Sequence, residues 1–191
     1  MNFEVENLYH LYNRSNNNQI VFHHHENYIY FLGKIRKEWL PYFDIIAYCL
    51  MPTHFHFIVS VKGIQQKEKA NYAVGKLLSS YTRANNKENN SHGSLFQQKT
   101  KSKNLHTAFD IKKYLNTSNY ILYCLNYIHT NPLKDNLVSD LKDWQYSSYL
   151  DYAALRNGTL CNITIAEELL NFKRGVEFIQ FTKLAENDYK F

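Results

Sequence analysis

His54 and His56 stand two residues apart in the run Cys49-Leu50-Met51-Pro52-Thr53-His54-Phe55-His56-Phe57-Ile58-Val59. The stretch Phe55 to Val61 is apolar, β-branched and aromatic, which is the composition of a strand. Alternate side chains of a strand share a face, so both imidazoles point one way while Phe55 and Phe57 point the other. At about 3.3 Å rise per residue the two rings lie roughly 6–7 Å apart along the strand. Such a pair can hold one divalent cation if one or two oxygens come from elsewhere. The flanks are apolar, so the strand is expected to be buried, where an idle imidazole costs desolvation.

The rest of the chain must position this pair. Leu8 to Tyr12 alternates as a first strand, and 13–18 has the composition of a turn. Helical spacing of Tyr28, Phe31, Leu32, Ile35 and Leu40 predicts a helix over 26–40. Phe43 to Met51 is a continuous apolar strand that pairs with 55–61 through a turn at Pro52. Val74, Leu77, Leu78 and Tyr81 predict a second helix over 71–85, followed by a polar loop to Gly93. A fourth strand is expected over 95–105 and a short helix over 109–115. A strong helix is expected over 119–130, ending near Asn131 because the residue before Pro132 disfavours helix. The state of 144–152 is open, and 164–185 predicts one or two helices broken at Gly175. The order βαββαβ gives an α+β fold: a ferredoxin-like split βαβ plan with an antiparallel sheet, helices on one face, and extra C-terminal helices.

Length and composition bound the function. At 191 residues the chain fits one main domain over 1–160, with a C-terminal helical extension over 161–191 packed on it. Lys and Arg exceed Asp and Glu by five, 22 against 17, a mild excess that permits a polyanionic partner. The alternating Lys99, Lys101 and Lys103 form either a phosphate track or the protective lysines of an edge strand. The 16 tyrosines and 12 phenylalanines supply core packing and rings that can stack on bases. Cys49, Cys124 and Cys161 lack metal or redox spacing and fit buried thiols in a reducing cytosol. No apolar run approaches membrane-spanning length and the N-terminus does not read as a signal peptide, so a cytoplasmic location with no membrane partner is expected.

Four segments carry a resemblance to a known family. They are 9–17 (Tyr-His-Leu-Tyr-Asn-Arg-Ser-Asn-Asn), 47–58 around the histidine pair, 93–97 (Gly-Ser-Leu-Phe-Gln), and 127–132 (Tyr-Ile-His-Thr-Asn-Pro) with Trp144 to Tyr149 following. Together they resemble the single-tyrosine, His-hydrophobe-His transposases, most closely the REP-associated tyrosine transposase branch. The resemblance implies a divalent-metal-dependent endonuclease and strand transferase acting on single-stranded, hairpin-associated DNA. It implies a tyrosine that attacks the scissile phosphate, leaving a 5′-phosphotyrosine and a free 3′-OH. It allows a homodimer or a monomer, and association with the nucleoid when DNA is bound.

Carried over residue by residue, the resemblance makes Tyr127 the nucleophile and His54 and His56 metal ligands. A phenol of ordinary pKa near 10 needs help from a base or cation, and a phosphodiester needs its oxygens neutralised. Asn131, four residues on, shares the helix face of Tyr127 and either supplies a third metal ligand or ends the helix before Pro132. Tyr123 shares that face too. Asn13 and Arg14 end the first strand and either contact DNA or brace the sheet. Gln97, Lys99, Lys101 and Lys103 are expected to meet the DNA backbone. His129 is expected to project elsewhere, to the surface or to a supporting position. His23-His24-His25 reads as a solvated helix N-terminus. Two imidazoles suit Mn²⁺, Zn²⁺ or Co²⁺, while Mg²⁺ is the cellular choice if phosphate oxygens and water complete the shell. Two other functions stand beside this one: a domesticated hairpin-DNA-binding protein without turnover, and a water-using phosphodiesterase. The second needs a carboxylate near the metal, and none lies between Asp44 and Glu68.

Overall fold

The computed structural model describes residues 1, 3–107 and 117–188, without the side chains of 117–119 and 184–188. Four strands form one antiparallel sheet: β1 (Leu8–Arg14), β2 (Phe43–Met51), β3 (His54–Val61) and β4 (Lys101–Asn104). Their spatial order is β2-β3-β1-β4. The helix α1 (His25–Glu38) links β1 to β2, and α2 (Ile64–Glu88) follows β3. This is the split βαβ plan, with β3 inserted between β1 and β2. The chain continues through α3 (Thr117–Lys134), α4 (Tyr149–Tyr152), α5 (Ile163–Leu170) and α6 (Val176–Asp188).

Alternation along the strands builds two cores. Tyr9, Leu11, Phe55, Phe57 and Val59 face α1 and α2, where they meet Phe31, Ile35, Trp39, Leu77 and Tyr81. Leu8, Cys49, Met51 and Ile58 face the other way, under Ile121, Cys124, Leu125 and Ile128 of α3. A bulge in β2 between Ile45 and Ala47 adds one residue, so Ile46 and Ala47 both join this second core. Tyr152, Ala166, Leu170, Phe172 and Phe178 from the C-terminal helices enlarge it. The helices of the βαβ plan thus cover one face, and the extra helices cover the other. No helix among the described residues is long and apolar enough to cross a membrane.

The hairpin that carries the histidine pair is held from outside. Pro52 O accepts from Val21 N at 2.7 Å and Phe22 N at 3.2 Å, and Thr53 O accepts from Ser15 N at 2.8 Å. Three segments differ from the sequence expectation. The fourth strand spans only 101–104: Phe96 forms a lone bridge to Ser15, and Asn13 Nδ2 donates to Gln97 O and Thr100 Oγ1, holding 97–100 as a loop. The second helix begins seven residues early, because Gln65 to Lys69 are helix formers without an apolar stripe.

The third difference lies in α3, which does not end at Asn131 but runs through Pro132 to Lys134. It closes where Asn136 takes a left-handed φ of 53°. Leu137 N donates to Pro132 O at 2.9 Å and Asn136 N to Leu133 O at 3.0 Å, the paired bonds of a Schellman cap. Proline costs the helix only the donor that would have served Ile128 O, and the cap satisfies the last carbonyls, those of Pro132 and Leu133. The segment 144–148, left open by its sequence, lies along the free edge of β2: Leu50 N donates to Tyr146 O and Ser148 N to Tyr48 O, both at 2.9 Å. The expected helix at 109–115 lies outside the described residues.

Candidate active site

Register brings the polar residues of β1 and β3 together. Tyr12 pairs with His56 and Arg14 with His54, so these four side chains share the α3 face of the sheet. His10, two residues before Tyr12, belongs to the same stripe. The His54 and His56 rings lie 5.1 Å apart at right angles. His56 stacks against Tyr12 with centroids 5.7 Å apart. From above, α3 brings Tyr127, whose ring meets His56 edge-on at 5.5 Å and His10 at 6.0 Å. Tyr127, Asn131 and Asp135 follow at four-residue spacing and form one helical stripe.

Together these residues line one cleft of about 440 Å³. Tyr12, Arg14, His54 and His56 form its floor, Tyr127, Asn131 and Asp135 one wall, and Gln97, Lys99 and Lys101 the opposite rim. Nine of the ten residues singled out by sequence line it: Tyr127, His54, His56, Asn131, Asn13, Arg14, Gln97, Lys99 and Lys101. Lys103 does not; its ammonium stands 5.0 Å from the Tyr120 ring, farther along α3. Asn13 lines the cleft, but its Nδ2 donates to the 97–100 loop and its Oδ1 accepts from Arg14 N, so its amide acts as a brace. No described side chain beyond residue 160 lines the cleft.

The imidazoles are set up as neutral groups. His56 Nδ1 is 2.8 Å from His10 Nε2, and His54 Nδ1 is 3.1 Å from Thr53 Oγ1. Burial pushes His56 down to about 2, with His10, His54 and Arg14 adding to the shift. Burial and the Lys103 charge push His10 down to about 4. His54 is lowered too, mainly by burial, against the opposing pull of Asp135. Tyr127 is raised by burial and then by Tyr123, Tyr12 and Asp135, while Arg14 works in the other direction. The resting nucleophile candidate is therefore a protonated phenol.

The donor set fits a divalent cation of the kind the histidine pair suggests. Both imidazoles have Nδ1 engaged and keep Nε2 as the available nitrogen. Both are neutral, as ligands must be. Asn131 uses Nδ2 on Tyr127 O, which leaves Oδ1 as an oxygen donor. Among the described residues no group of three His, Cys, Asp or Glu is placed to hold a metal ion, so the pair would need an oxygen donor such as Asn131 Oδ1, a phosphate or water.

No family model matches the sequence, and no curated protein matches it. A solved structure does match in three dimensions: a REP-associated tyrosine transposase bound to a REP hairpin. Its TM-score is 0.59 at 18% identity, over 91% of this chain and 93% of that one. The two proteins share a fold.

Sequence reasoning missed three residues of the site. Asp135 was hidden by ending α3 at Asn131; continuing the four-residue stripe from Tyr127 through Asn131 finds it. His10 and Tyr12 were visible as alternate residues of β1, but their contact with His56 depends on strand register. His129 projects away from the cleft, as its spacing from Tyr127 predicts, and takes the buried supporting position rather than the surface one. Its Nε2 is 2.8 Å from Ser148 Oγ, and it packs against Tyr152 and Phe178, away from the cleft. His24 caps α1 as the sequence suggested for the histidine run.

Proposed function

We propose that this protein is a metal-dependent single-stranded DNA endonuclease and strand transferase, a transposase that forms a 5′-phosphotyrosine at hairpin-associated sites. One observation carries the reading: Tyr127, His54, His56 and Asn131 share a cleft with the cations Arg14, Lys99 and Lys101. Support for the partner comes from the fold neighbour, which was solved bound to a REP hairpin.

The Tyr127 phenol oxygen forms a bond to phosphorus, and the bond from phosphorus to O3′ breaks. The phenol proton leaves to solvent in the cleft, and the departing 3′ oxygen takes one up. Arg14, Lys99 and Lys101 hold the phosphate backbone and offset its charge. Arg14 also favours the developing phenolate. His54, His56 and Asn131 would hold the cation, Mg²⁺ or Mn²⁺. When bound, it would polarise the non-bridging oxygens of the scissile phosphate. Rejoining reverses the exchange, since the tyrosyl ester conserves the bond.

The test is incubation with labelled single-stranded hairpin DNA from the flanks of the gene, with Mn²⁺ or with chelator. Denaturing electrophoresis then looks for a protein–DNA adduct. The adduct is expected in the wild type and Tyr123→Phe, and absent in Tyr127→Phe and with chelator. Binding without an adduct under every condition would point to the domesticated binder.

Asp135 supports a second reading. It supplies the carboxylate that a water-using phosphodiesterase requires. That enzyme would cut without a covalent intermediate and would lose cutting in Asp135→Asn but not in Tyr127→Phe.

A further inference from the structure

His10 is a buried imidazole beside the cleft that does not line it. It is 8% exposed and stacks on Tyr12 with centroids 4.7 Å apart. Its Nε2 makes the 2.8 Å contact with His56 Nδ1. Between two neutral imidazoles this contact holds one proton, and its position decides what His56 can do. If His10 Nε2 carries the proton, His56 Nδ1 accepts it, and His56 must bear its own proton on Nε2. That nitrogen then cannot bind a metal. If His56 Nδ1 carries the proton, His56 Nε2 has its lone pair free for the cleft.

We propose that His10 is a positioning residue that accepts the His56 Nδ1 proton and holds His56 in the tautomer whose Nε2 can bind a divalent cation. The inference rests on the metal-dependent reading above for its purpose, though not for its geometry. Metal-bound histidines usually pass their other N–H to a carboxylate, a backbone carbonyl or water. Here the acceptor is a second imidazole. His54 has the matching arrangement, with the Thr53 hydroxyl at its Nδ1. Neither partner is charged, and the choice has a physical reason. The Tyr127 ring is 6.0 Å from His10, and its phenolate is already opposed by Asp135. A carboxylate at position 10 would add a second negative charge beside a nucleophile that must itself become negative. A neutral acceptor orients the ligand without that penalty.

The neighbours of His10 favour the accepting role. Lys103 stands opposite it on β4, and a second positive charge at position 10 would be buried beside that lysine's strand. β1 fixes it from both sides, since its backbone pairs with Ile58 of β3 and Lys103 of β4. The Tyr12 ring restricts rotation from its stacked face.

The experiment uses three substitutions and two readouts. His10→Gln keeps an acceptor near the Nε2 position. His10→Asn is equally polar but too short to reach His56. His10→Phe removes the acceptor and keeps a ring. Long-range ¹H–¹⁵N spectra of the metal-free protein report the His56 tautomer directly. The wild type and His10→Gln are expected to show His56 protonated on Nδ1, and His10→Asn and His10→Phe to show the proton moved to Nε2. Mn²⁺ affinity by calorimetry is expected to fall about 10–100-fold in His10→Asn and His10→Phe, with His10→Gln recovering most of the loss.

A His56 proton on Nε2 in the wild type would overturn the proposal. So would wild-type Mn²⁺ affinity in a folded His10→Asn or His10→Phe protein. If His10→Phe fails to fold, the Gln and Asn pair still decides. If the wild type and a His54→Ala, His56→Ala control bind Mn²⁺ equally, the metal-dependent reading fails by itself, and the spectra still decide the tautomer.

Discussion

Acid should unfold this protein well before its carboxylates titrate, and the reason lies in three buried histidines. Burial lowers His10 to about 4, His56 to about 2 and His129 to about 3. In the unfolded chain each returns to about 6.5. The folded state therefore binds fewer protons than the unfolded state at every pH below neutral. Stability is complete above pH 6.5 and falls as the pH drops toward the folded values. Between pH 6 and pH 5 each histidine costs about 1 kcal/mol, and the three together roughly 3–4 kcal/mol, a large share of the usual 5–15. Carboxylates held low, such as Glu38 beside Lys76, contribute mainly below that window. Urea unfolding of the chelated protein, followed by tryptophan fluorescence at pH 7, 6 and 5, measures the slope. His129→Gln is distant from the cleft and should remove about 1 kcal/mol of the loss between pH 6 and pH 5. Equal stability at pH 7 and pH 5, or an unchanged slope in His129→Gln, would refute the claim that these rings are buried and neutral.

Two further predictions follow from the rim and from the β2 edge. Lys99→Gln and Lys101→Gln should each lower the salt slope of single-strand binding by about 0.7, one phosphate contact apiece, while Lys103→Gln leaves it unchanged; anisotropy titrations across salt concentrations check this. Asp151 is buried against Arg156, with Oδ1 2.7 Å from Nε and Oδ2 2.8 Å from Nη2, and Arg156 also donates to Gln145 O and Ser147 O. Asp151→Ala strands that guanidinium and should cost about 3 kcal/mol in urea unfolding. Gly158→Ala should act the same way, because its Cβ would meet the Asp151 carboxylate.

Period-two reading of 55–61 was enough to place His54 and His56 on one face, because Phe55 and Phe57 had to enter the core beside Phe31, Trp39 and Phe96. Four-residue spacing likewise placed Asn131 beside Tyr127. What escaped was set by distant partners. Pro132 argues locally for a helix end, yet the cap at Asn136 satisfies the chain and carries Asp135 into the cleft. Lys99 alternates with Lys101 in sequence, but the Asn13 amide holds its segment as a loop. The edge of β2 is covered by 146–148 through backbone bonds, which leave no periodic signature. The His10–His56 contact depends on the register of β1 against β3, which alternation alone does not fix.

The central claim is covalent bonding of DNA to Tyr127, and mass spectrometry of the trapped adduct tests it most directly. After nuclease trimming and trypsin digestion, the nucleotide remnant should map to the peptide containing Tyr127, with the phosphate on its phenol oxygen. A remnant on Tyr123 or Tyr12, or cleaved DNA with no modified peptide, would contradict the account.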